Sequence, residues 1–100
     1  MFQWNEGNTN HIARHGVTPA EAEQVVLNEP LDMEVTLRNG EQRIVQVGET
    51  DAGRILVVVT TMRGTKIRVV TAYPAGSRLQ QLFQRVKRRF DAGQTGNTAL

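Results

Sequence analysis

Apolar and polar positions change period twice along this chain, and the changes mark out its elements. Phe2 and Trp4 flank Gln3 in a short extended start. Asn5 can cap a helix, with Asn8 three residues on as an imperfect capping-box partner. That helix is expected through Ile12 to Arg14 and to stop at Gly16, a residue suited to the left-handed helix end. It is polar for its length and carries Gly7, so tertiary contacts must hold it. Thr18, Pro19 and Glu21 give a complete second helix start: N-cap, first-turn proline and capping-box acid. Ala22, Val25 and Val26 form its apolar stripe, and Asn28-Glu29-Pro30 ends it.

The period then becomes two. Leu31, Met33, Val35 and Leu37 alternate with Asp32, Glu34, Thr36 and Arg38, the pattern of a half-buried strand. Asn39-Gly40 signals a tight hairpin, Arg43 to Gly48 returns, and Thr50 to Gly53 turns again. Ile55 to Val59 is continuously apolar, as in a central strand covered on both faces. After a turn at Arg63-Gly64, Ile67, Val69 and Thr71 alternate with Lys66 and Arg68. Pro74 and Gly76 break the pattern, and Ser77 is expected to cap a final helix. Leu79, Leu82, Phe83, Val86 and Phe90 make its apolar stripe; Arg78, Arg85, Lys87, Arg88 and Arg89 make its basic face. The expectation is one α+β domain over residues 1–90: two N-terminal helices, a four-stranded antiparallel meander and a C-terminal amphipathic helix. Residues 91–100 are small and polar and read as a flexible tail.

Composition narrows the function. With 39% hydrophobic residues the 100-residue chain can bury a core. The absence of cysteine excludes disulfides, thiolate zinc sites and thiol nucleophiles. No apolar run approaches the roughly 18 residues of a membrane span. The N-terminus lacks the basic-then-apolar order of a signal peptide, so the expected compartment is the cytoplasm. Residues 1–51 hold three arginines against nine acids, whereas residues 52–100 hold nine bases against Asp91 alone. That split suggests a basic surface for an anionic partner. Ten of the twelve bases are arginine, the side chain that forks onto phosphate.

His11 and His15 are spaced to share a helical face. Without further ligands they do not make a metal site, and no metal or cofactor is expected. They remain open to three readings: partly buried structural histidines, acid–base groups or partner contacts. The basic residues form the richest set. Arg54 opens the central strand, Arg63 lies at a turn, Tyr73 ends the last strand and Arg78 opens the last helix. If that helix covers one sheet face, Lys66 and Arg68 point to the other. With Arg63 they would bind RNA there, joined by Arg85, Arg88 and Arg89. RNA cleavage by its own 2′-hydroxyl needs an in-line phosphate, charge stabilisation and proton transfer. Arg54, Arg68 and Arg78 are the expected phosphate holders, His15 the proton-transfer group and Tyr73 its helper.

Trp4-Asn5-Glu6, Asn8, the run His11 to Pro19 and Glu21-Ala22-Glu23 together resemble the N-terminal signature of BrnT-type toxins. Asp51 to Val59 resembles that family's Gly-Arg strand, and Arg68 to Ala75 its later Arg-containing stretch; the likeness covers roughly residues 2–90. It implies a fold related to RelE-like ribonucleases, metal-independent cleavage of messenger RNA and growth arrest. It also implies neutralisation by a BrnA-type ribbon-helix-helix antitoxin, and allows a toxin homodimer within the complex. Tyr73 stands where the family usually has Arg. The family's basic run is replaced by Leu79 to Phe83, with the bases displaced to Arg85–Arg89. The alternative is therefore a catalytically degenerate toxin fold that only binds an antitoxin or nucleic acid. A third reading is a structural domain that dimerises through the Leu79–Phe90 stripe.

Overall fold

A computed structural model describes residues 1–98, with side chains through Asp91. The element order is β1 (Phe2–Gln3), α1 (Glu6–Ala13), α2 (Pro19–Leu27), β2 (Leu31–Arg38), β3 (Glu41–Glu49), β4 (Ile55–Arg63), β5 (Lys66–Pro74) and α3 (Ser77–Thr98). Strands β2 to β5 form the expected antiparallel meander. The short N-terminal strand joins it as a fifth, giving the order β1-β5-β4-β3-β2 with β1 parallel to β5. No helix among the described residues is long and apolar enough to cross a membrane. The backbone of α3 continues to Thr98, so the tail expected from Asp91 falls largely on residues outside those fully described.

Local chemistry sets the helix ends. Asn5 and Asn8 cap α1 reciprocally, each side chain accepting from the other's backbone N–H. Thr18 and Glu21 do the same for α2. Gly16, at φ 74°, reverses the chain after α1. Asn39 and Gly40 both take positive φ, as the tightest hairpin turn demands. At α3, Gln80 N–H donates to Gly76 O, so Gly76 takes the cap position and Ser77 is the first helical residue.

The sheet buries a core on each face. Ile12, Val17, Ala22 and Val25 of the helical pair pack on Leu56, Val58, Val69 and Ala72. Phe83 and Leu79 of α3 pack on Val47, Ile55 and Val57 across the other face. β4 thus supplies both cores, as its unbroken apolar run requires. Trp4 Nε1 donates to Glu23 at 2.7 Å and pins β1 to α2. Buried Asn8 donates to Gln3 O at 3.1 Å and Val69 O at 3.2 Å, linking β1 and β5 to α1.

Two expectations fail for one reason, β-bulges. The register of β2 shifts at Met33. Leu31 lies with Val47 on the α3 face, but beyond the bulge Val35 and Leu37 lie with Ile44 and Gln42 on the opposite face. A one-residue slip exchanges the faces of a strand. The alternating stripe is consequently not half-buried: Val35 is 57% and Leu37 76% exposed. A second shift, between Val59 and Thr60, leaves Thr61 paired with Arg68 and Arg63 with Lys66. Thr61 and Arg63 share their face with Val57, so Lys66 and Arg68 lie on the α3 face, not opposite it. They stay accessible because α3 packs at the other end of the sheet, near Val47, Ile55 and Ala75.

Candidate active site

The expected site residues separate into two groups along the β4–β5 hairpin. Arg54, Tyr73 and Arg78 sit where β4 begins, β5 ends and α3 starts; Ala75 N–H donates to Ile55 O there. Arg63, Lys66 and Arg68 sit at or towards the far turn, about 16 to 30 Å away at strand spacing. Arg85, Arg88 and Arg89 lie exposed on α3. The ten residues are therefore a group where β4 begins and β5 ends, and cations spread along the hairpin and α3.

The cluster is built around His15. Its ring lies 6.1 Å from that of Tyr73 and 5.6 Å from that of His11, both edge-on. All three are exposed, where one reading expected a partly buried structural pair of histidines. His15 is placed by the end of α1: its N–H donates to Ile12 O, and the left-handed Gly16 follows.

Arg54 fixes that turn from the sheet. Its Nη1 donates to Gly16 O at 2.8 Å and to both Glu21 oxygens at 3.0 and 3.2 Å. The Thr18 N–H and the Arg54 guanidinium hold the Glu21 carboxyl below the ordinary carboxylate range, against the opposing effect of burial. One arginine thus ties α1, α2 and β4 together beside His15. Its other nitrogens have no protein partner among the described residues and stay available to an anion. This tie joins residues 33 apart in sequence, and the only signal for it was the Gly-Arg start of an apolar strand.

Elsewhere, Arg63 is 3.1 Å and Arg43 3.3 Å from Glu41, which partly neutralises the far turn. Lys87 pairs with Glu49, and this contact raises the lysine's pKa above its ordinary value. Among the described residues no three His, Asp or Glu side chains group to hold a metal ion.

An exposed imidazole edge-on to a phenol, with cations on the flanking elements, can exchange protons with a bound phosphodiester. Residues 4–78 match the family model described as the ribonuclease toxin, BrnT, of type II toxin–antitoxin systems. No curated protein sequence matches the chain.

Proposed function

The chain belongs to the BrnT ribonuclease toxin family of type II toxin–antitoxin systems, and on that basis we propose that it cuts messenger RNA at the His15–Tyr73 edge without a metal ion. The carrying observation is the contact between those two rings in an exposed position, next to the Gly16 turn that Arg54 holds. His15 takes the proton of the attacking 2′-hydroxyl, and Tyr73 hydrogen-bonds the phosphate or the departing 5′-oxygen. Arg78 and the free nitrogens of Arg54 offset the charge that builds on the phosphorane. Arg68, Lys66 and Arg63 grip the strand as it runs along β5, and Arg85, Arg88 and Arg89 add a further basic flank. Family membership supplies the other partner, an antitoxin, here of the BrnA ribbon-helix-helix type.

Cleavage of a short RNA by the purified chain in chelator tests this, with 2′,3′-cyclic phosphate ends as the signature. His15→Ala should lower kcat about 10²- to 10⁴-fold, the usual share of acid–base catalysis. Tyr73→Phe should lower it less, and neither should move the melting temperature. A folded chain that binds RNA and leaves it uncut would make this a binding-only member. Full cleavage by the double variant would move the site elsewhere.

A further inference from the structure

The two edges of the sheet are finished differently. On the β1 side the edge strand is two residues long, and Asn8 caps Val69 O beyond it. On the other side β2 runs from Leu31 to Arg38 with one whole backbone edge unpaired among the described residues. Natural edges are guarded by lysine, proline or shortness. β2 has Pro30 and the bulge at Met33 at its start only, and the regular stretch Glu34 to Arg38, with a charge at each end, carries exposed Val35 and Leu37 between them.

That stretch is complementary to itself. In an antiparallel pairing centred on Thr36, Glu34 falls opposite Arg38 of a second copy, Val35 opposite Leu37, and Thr36 opposite Thr36. The faces agree. Glu34, Thr36 and Arg38 share the α3 face through their pairings with Val45, Arg43 and Glu41, while Val35 and Leu37 share the other. Both charges are unspent: neither has a side-chain partner among the described residues, because Glu41, the carboxylate opposite Arg38, is taken by Arg43 and Arg63. Each dimer would gain two ion pairs, two apolar pairs and a threonine pair, the cross-strand combinations that stabilise a sheet.

We propose that β2 is a homodimerisation edge, through which two copies of this chain join their five-stranded sheets into one of ten strands. The pairing would set the two uncovered sheet halves side by side, each with Arg43, Arg63, Lys66 and Arg68. The proposal stands apart from the nuclease reading and is tested without RNA.

Light scattering behind size exclusion, over a wide concentration range, should give twice the chain mass for the unaltered protein. Glu34→Arg alone and Arg38→Glu alone place like charges opposite one another. Each should weaken the dimer by about tenfold or more. Mixed together, the two variants become complementary and should form a heterodimer tighter than either homodimer. Circular dichroism shows whether each variant keeps its fold, and both positions are exposed. A monomer at every concentration would overturn the proposal, as would single reversals that leave the dimer intact. So would a chain that stays monomeric until an antitoxin supplies the strand.

Discussion

Asn8→Ala should be among the most damaging polar substitutions in the chain. The side chain is 3% exposed and makes three hydrogen bonds: from Asn5 N–H at 2.8 Å, to Gln3 O at 3.1 Å and to Val69 O at 3.2 Å. Each bond contributes about 1 kcal/mol net, and a group left buried without a partner costs about 1–3 kcal/mol. Val69 O is the most enclosed of the three partners and Asn5 the least. The expected loss is therefore about 3–4 kcal/mol, or roughly 12–30 °C in Tm for a domain of this size. Asn10→Ala, on the exposed face of the same helix, is the control and should move Tm by no more than a few degrees. Asn8→Asp sharpens the test. It keeps the acceptor for Asn5 but turns an oxygen towards two carbonyls. Its carboxyl should have a raised pKa, so the variant should gain stability as pH falls through that value. Chemical denaturation of the three variants checks the ledger. A loss below about 1 kcal/mol for Asn8→Ala would show that β1 and α1 do not hang on this residue.

Gly48→Ala should cost about 1–3 kcal/mol in the same assay, because the new methyl would sit 2.9 Å from Pro30 Cβ and 3.1 Å from Val25 Cγ1. Glu21 has its pKa lowered by folding, so its contribution is present above the ordinary value of 4.5 and is lost as pH falls through the lower folded value. Glu21→Gln should flatten that acid limb of the stability curve, measured by thermal melts from neutral to acid pH, and lower the proposed nuclease activity through the turn that carries His15.

Local signals were legible where local chemistry decides. Thr18-Pro19 and Glu21 started α2, Asn39-Gly40 closed the hairpin, and the run from Ile55 marked the strand that both cores share. What escaped depended on partners distant in sequence. Nothing in Phe2-Gln3 indicates a parallel pairing with Ile67-Arg68. Alternation from Leu31 to Leu37 reads as one face unless the bulge at Met33 is known, and a bulge answers to the neighbouring strand. The candidate site divides in the same way. Residue type alone points to His15, Tyr73 and Arg54 as candidates, but the grip of Arg54 on Gly16 and Glu21 appears only when β4 meets the helical turn. Lys66 and Arg68 read from the sequence as lying on the face opposite α3, whereas the register puts them on the α3 face.

The parallel pairing of β1 with β5 sets an order of assembly. The meander closes through short turns between neighbours, whereas Phe2 must wait for Ile67 and Asn8 for Val69. Closing so long a loop is entropically costly, and non-local contacts form late. During synthesis α1 therefore has no seat until most of the chain has left the ribosome. His15 is made early but is seated only once β5 is in the sheet, and its meeting with Tyr73 waits on that step. A nascent chain halted before β5 would carry the histidines and the helical caps without Tyr73, so the contact between the rings is withheld by topology until the molecule is nearly whole.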